Sequence, residues 1–219
     1  DLVKTSIAET ESVQIHTFLR EGEVDENIFE LSEEKGIDLI VMGTFGINGL
    51  KDRIWGSKTA GLTGKTNVPV MVIPYEYNWK VPEKILLATS FFEEDRNVLE
   101  PITGLTDAFK ATLHTIIFTD EDTADAALFL ERGMNMADYE RKLKKLLNTE
   151  SIITGHLSGS KFEDTLQDYI KNNDIDILTM ISYQRSLWDR IFHPSVTRRM
   201  SYHTTIPLLV IPANKKGEE

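Results

Sequence analysis

Cysteine is absent from the 219 residues. That excludes disulfides, thiolate nucleophiles and cysteine-ligated zinc, and it makes a reducing cytoplasm the expected compartment. Long apolar stretches are also missing. The longest runs, such as Leu39-Ile40-Val41-Met42, are strand-sized, far below the roughly 20 residues that a membrane helix needs. Glycine (13) and proline (7) are sparse, while hydrophobic residues make up 41% and charged residues 27%. This is a core-forming composition, which excludes a disordered or fibrous chain. Positive charge is in deficit: 24 basic residues face 35 acidic ones, for a net charge of −11. The summed field repels a polyanion, so nucleic acid is not an expected partner, although one local site for a small anion is allowed.

What the chain does contain is a copy of itself. The segment Asn67-Val68-Pro69-Val70-Met71-Val72-Ile73-Pro74 reads like Thr205-Ile206-Pro207-Leu208-Leu209-Val210-Ile211-Pro212, at an offset of 138. At the same offset Ile37-Asp38-Leu39-Ile40-Val41-Met42 meets Ile175-Asp176-Ile177-Leu178-Thr179-Met180, Ser57 meets Ser195, and Thr59 meets Thr197. Several independent matches at one offset imply two copies of one unit. The copies are unequal. The opening strand of the second, Lys84-Ile85-Leu86-Leu87-Ala88-Thr89, would have its counterpart roughly 50 residues before Asp1. The first unit is therefore expected to be entered halfway through, over residues 1–77, and the second to be complete over 83–213.

Hydrophobic spacing predicts alternating strands and helices. Alternation over 13–19 reads as a strand. Val24, Ile28 and Leu31 lie at helical spacing over 24–35, with Gly36 as a stop. Residues 37–42 form a near-continuous apolar run, as in a parallel strand buried on both faces. A short helix over 57–62 and a strand over 68–73 follow. The second unit reads as strand 84–89, helix 95–109, strand 112–118, helix 134–147, strand 151–156, a helix opening on Ser160-Lys161-Phe162-Glu163 as a capping box, and strands over 176–180 and 207–211. Residues 78–82 are the expected linker. Strand–helix alternation with buried strands argues for an α/β fold, a parallel sheet flanked by helices.

The chemistry concentrates in one loop. After the buried strand comes Gly43-Thr44-Phe45-Gly46-Ile47-Asn48-Gly49-Leu50-Lys51-Asp52-Arg53-Ile54-Trp55-Gly56-Ser57. It leaves the carboxyl end of a parallel strand, where α/β ligands bind. Glycines let backbone amides approach a phosphate, and Gly56-Ser57 opens a helix whose free amides attract an anion. The spacing is not that of a P-loop, which needs Gly-Lys-Ser/Thr after four residues.

Gly43-x-x-Gly46, nine residues, then Gly56-Ser57 before a strand resembles the nucleotide-binding signature of the universal stress proteins, and the two-unit layout resembles their tandem members. The resemblance implies a Rossmann-like sheet of the adenine nucleotide alpha hydrolase-like type, five parallel strands per unit, with ATP along the strand ends. It implies that the backbone of Met42 and Gly43 borders the ribose, and that Gly46, Gly56, Ser57 and the Lys58 amide hold the phosphates. It also implies that the two final strands, around 70–73 and 208–211, pair antiparallel as in a family dimer, making the chain a pseudo-dimer, with a homodimer through the incomplete half as a further expectation.

The second copy departs from this pattern. Ile181, Gln184 and Pro194 stand where Gly43, Gly46 and Gly56 stood, and Thr89-Ser90 sits where the family places an acidic residue. Each replacement adds bulk, and Pro194 also removes a donor. That half is expected not to bind ATP. The five histidines show no metal-ligand spacing, and Arg185, Arg190, Arg198 and Arg199 read as surface pairing or an anion cluster. No carboxylate dyad or Ser-His-Asp set can be assembled. The sequence thus points to a cytoplasmic stress-response module that binds or senses an adenine nucleotide, at most a slow ATPase. A nucleotide-independent, partner-binding module of the same fold is the alternative.

Overall fold

The computed structural model describes residues 14–43, 66–74, 77–182 and 205–213. Helix α1 (Val24–Lys35) is stopped by Gly36, which takes a left-handed turn at φ 60° and returns its N–H to the Ser32 carbonyl. Two short strands follow, β1 (Ile40–Gly43) and β2 (Val70–Ile73). The remainder alternates regularly: β3 (Lys84–Thr89), α2 (Arg96–Phe109), β4 (Thr112–Asp120), α3 (Ala126–Leu147), β5 (Ile152–Gly159), α4 (Phe162–Asn172), β6 (Ile177–Ser182) and β7 (Leu208–Pro212). Aspartates start two of the helices. Asp95 accepts the Asn97 N–H at 3.0 Å, and Asp125 accepts the Leu128 N–H at 2.8 Å.

The seven strands among the described residues form one sheet, in the order β1-β2-β7-β6-β3-β4-β5. From β5 to β7 every neighbour is parallel, with β3 in the middle. This is the α/β arrangement that places helices on both faces. Helices α2 and α3 bring Leu99, Ile102, Tyr139 and Leu143 over Ile85, Leu87, Leu113 and Ile117. Helices α1 and α4 cover the other face, where Leu166 meets the cluster of Leu86, Ala88, Ile116 and Leu178, and Ile28 and Phe29 pack against it.

The offset of 138 is also a structural repeat. Pairs Ile40↔Val70 through Gly43↔Ile73 in the β1–β2 ladder match Leu178↔Leu208 through Ile181↔Ile211 in the β6–β7 ladder. The Ile40 N–H donates to the Pro69 carbonyl and the Leu178 N–H to the Pro207 carbonyl, both at 2.9 Å. The left-handed Gly36 has its counterpart in Asp174, at φ 52°. The two ladders meet at β2 and β7, which pair antiparallel with Met71 opposite Leu209, Val70 opposite Val210 and Val72 opposite Leu208. Met71 therefore faces its own equivalent across a local two-fold axis.

Four expectations need correction. Residues 14–20 are irregular and not a strand. Their counterpart β5 is held by β4 alone, and no strand among the described residues stands in the place of β4 beside 14–20, so a ladder has nothing to pair with. The 37–42 run is not buried on both faces. Only Ile40–Gly43 is strand, and Val41 is 59% exposed, because no described helix covers that part of the sheet edge. The capping box does not form: Lys161 is the N-cap, so Glu163 falls one position short of N3, and no side chain caps α4. Helix α3 begins at Ala126 and runs through Gly133. An interior glycine costs only about 1 kcal/mol relative to alanine, and the Asp125 cap with the Ala-Ala-Leu start outweighs it. The expected helix over 57–62 lies outside the described residues.

The 78–82 linker is irregular, as expected, but pinned. Trp79 tilts against Phe109 at 5.9 Å between ring centroids, and Lys80 forms an ion pair with the buried Asp176. Asp176 also accepts the N–H groups of Glu83 at 2.8 Å and Lys84 at 2.9 Å. Burial alone would raise its pKa, but these three donors outweigh burial and hold it below the usual aspartate value. The stabilisation is present above the unfolded-state pKa and is lost as pH falls through the folded one. We expect Asp176→Asn to cost about 1–3 kcal/mol at neutral pH. The gap to the wild type should shrink as the carboxyl protonates below pH ~4, as read from denaturant midpoints across pH. A gap that stayed constant down to pH 2 would contradict this. Val72 is fully buried at the β2–β7 seam. Val72→Asp should lower stability by about 3–5 kcal/mol, the usual penalty for an uncompensated buried charge, and a denaturation midpoint matching the wild type would be contrary.

Candidate functional site

The glycine loop leaves the carboxyl end of β1 and returns to β2. Its first two site residues, Met42 and Gly43, are the last two of β1, paired with Val72 and Ile73. Met42 is half-buried and Gly43 exposed. Among the described residues, a Cβ built on Gly43 would meet nothing within 4 Å. Gly46, Gly56, Ser57 and Lys58 lie outside the described residues, so the structure does not bring the six predicted residues together. On the return, Thr66 is buried and its hydroxyl accepts the Val68 N–H at 3.0 Å, fixing the turn into β2.

The equivalent strand end differs in chemistry. Ile181 occupies the ladder position of Gly43 and is only 7% exposed, packed into the core under α2 and α3. Gln184, Arg185, Arg190, Pro194, Arg198 and Arg199 fall outside the described residues. The neighbouring carboxyl ends of β3, β4 and β5 are filled by the chain's own groups. Arg132, on α3, donates through Nη2 to the Ser90 carbonyl at 2.6 Å, and through Nη1 to the Phe118 carbonyl at 2.8 Å and Thr119 Oγ1 at 2.7 Å. Thr119 Oγ1 lies 2.8 Å from His156 Nε2. The Phe129 ring lies tilted against the His156 ring, with centroids 4.8 Å apart. Sequence reading missed this assembly. Its members are spread over 67 positions, and no local motif marks Arg132.

The loop between β3 and α2 is closed in the same manner. The Glu93 carboxylate is buried and accepts the Asp95 N–H at 2.6 Å, while its carbonyl accepts the Tyr139 hydroxyl at 2.9 Å. Burial raises the Tyr139 pKa well above that of a free phenol, so the hydroxyl is a permanent donor. The acidic Glu93-Glu94-Asp95 run thus leads into α2, with Asp95 as its N-cap. At the opposite end of the sheet His114 is buried and shares a hydrogen bond with the Tyr169 hydroxyl at 3.0 Å. Burial, then the nearby Lys84, lowers its pKa. Among the described residues no three His, Asp or Glu side chains are placed to hold a metal ion, and no helix is long and apolar enough to cross a membrane.

This fold, with a glycine-ended strand leading into the spaced loop, is the context the resemblance requires. The model of the universal stress protein family matches residues 3–74 and 82–212; the chain belongs to that family. A universal stress protein of Methanocaldococcus jannaschii is 40% identical over 67 residues, 31% of this chain and 39% of that protein. The universal stress protein YxiE of Bacillus subtilis is 35% identical over 66 residues, 30% of this chain and 45% of that protein. The chain thus spans less than half the length of these relatives. Among solved structures, a universal stress protein from Archaeoglobus fulgidus is similar at a TM-score of 0.57 and 19% identity, covering 88% of this chain and 66% of that one. A putative universal stress protein from Pseudomonas aeruginosa is similar at 0.61 and 16%, covering 88% and 69%. At these identities the solved structures establish the fold.

The open surroundings of Gly43 yield a prediction. Gly43→Ala adds a methyl group to empty space and is expected to change folding stability by less than about 0.5 kcal/mol, measured by chemical denaturation. A loss above about 1.5 kcal/mol would mean that the glycine serves the fold and not a ligand.

Proposed function

We propose that this protein binds or senses an adenine nucleotide, ATP, through Met42, Gly43, Gly46, Gly56, Ser57 and Lys58, as a stress-response protein of the cytoplasm. On this reading the chain is two tandem units, residues 1–77 being the carboxyl-terminal half of one and 83–213 the whole of the other, and only the first takes nucleotide. The observation that carries the reading is the contrast between two strand ends in one ladder geometry. Gly43 stands exposed before the spaced glycines, while Ile181 stands buried before Gln184 and Pro194. Glycines at 43, 46 and 56 would leave backbone amides free to face phosphate oxygens, and the Ser57 hydroxyl would add a donor. Binding is the proposed role.

Calorimetric titration of ATP into the full-length protein tests this. We expect one site per chain, and at least a tenfold weaker affinity, about 1.4 kcal/mol or more, for the Gly46→Val/Gly56→Val variant. No binding by the full-length wild type, or equal affinity in the variant, would overturn the assignment.

A further inference from the structure

Strands β3 and β4 pair in parallel as far as Thr89↔Ile117. Past that point β4 continues through Asp120, paired only with β5, while the chain leaves β3 at Ser90. The two strands part there, at their carboxyl ends, beside the β6–β3 pair at which the strand order reverses and an α/β sheet holds its ligand. Here the split exposes two carbonyls, Ser90 on one side and Phe118 on the other. The Arg132 guanidinium lies across it, one arm on each carbonyl, with a further bond to Thr119 Oγ1.

A guanidinium can only donate, so Thr119 Oγ1 accepts from Arg132, and the same hydroxyl shares a hydrogen bond with His156 Nε2 at 2.8 Å. Burial, and after it the charge of Arg132, lowers the His156 pKa. Phe129, one helical turn before Gly133, lies tilted against the histidine ring. A cation, two strand-end carbonyls, a hydroxyl and an imidazole are thus joined in one hydrogen-bonded assembly.

We propose that Arg132 is a built-in occupant of the strand-end crevice in residues 83–213: its guanidinium takes the carbonyls that a ligand would meet, and this half of the protein is held closed with no nucleotide. The proposal rests on the reading that this half does not take ATP, and it adds what stands in the ligand's place. Two parallel bonds from a rigid planar fork set the distance between the strand ends, which a lysine point charge cannot do.

The test uses the full-length protein and two variants, Arg132→Ala and Arg132→Lys, followed by amide exchange at 90–92 and by NMR titration of the His156 ring. In the alanine variant, exchange at 90–92 should quicken at least tenfold and the His156 pKa should rise toward its ordinary value. Millimolar ethylguanidinium should reverse both changes, whereas ethylammonium should not. In the lysine variant the His156 pKa should stay low, because charge is retained, while exchange quickens, because the fork is lost. Unchanged exchange in both variants, or equal rescue by ethylammonium, would overturn the proposal. ATP added to the wild type should leave the His156 and Ser90 signals unmoved; if they shift, the nucleotide-free reading of this half fails, whatever Arg132 does.

Discussion

The antiparallel ladder between β2 and β7 is the constraint on which the rest of the structure depends. Each strand ends a parallel run, and without a partner each would present a row of unsatisfied amides and carbonyls beside buried apolar side chains. Pairing them satisfies both rows at once. It also sets Met71 against Leu209 on the face of α2 and α3, and Val70, Val72, Leu208 and Val210 together on the face of α1 and α4. The two hydrophobic cores are continuous only because they pass through this seam. Since β1 hangs on β2 alone, the position of the glycine-loop strand relative to the rest of the sheet is set by it as well.

Across that seam the chain runs one geometry with two chemistries. The β1–β2 and β6–β7 ladders share a register, and the helices that precede them end in the same left-handed turn, at Gly36 and Asp174. At the strand ends the likeness stops. Gly43 leaves backbone exposed, whereas Ile181 extends the hydrophobic core to the same position. On the side of Ile181, Arg132 and Glu93 close the surrounding loops with internal hydrogen bonds. Hydrogen-bonding these buried groups internally stabilises that end without a ligand. One end leaves backbone exposed and the other is closed by the chain's own groups.

Much of the fold was legible in the residues. Apolar spacing and Gly36 gave α1 its limits, and the prolines flanking 70–73 and 208–211 marked the seam strands. The failures have physical causes. Residues 14–20 alternate as a strand should, but alternation describes a face and not a partner, and a strand without a neighbour has no ladder. The Ser160 capping box failed because the helix began one residue later than the motif requires. The helix expected over 134–147 begins eight residues earlier, at Ala126, because the Asp125 cap outweighs the local cost of Gly133. Of the candidate site, the strand end at Met42 and Gly43 was legible because it closes a near-continuous apolar run. The Arg132 assembly was not, because it joins three strands and a helix through tertiary contacts that no spacing encodes.

Site-resolved amide hydrogen exchange across the sheet tests the central claim, that one continuous sheet is closed at β2–β7. Amides of this ladder, at 70–72 and 208–210, should exchange as slowly as those of β3 at 85–88 and only through global unfolding. Rapid exchange at 70–72 while β3 remains protected would show that the two ladders open independently, and would contradict the account.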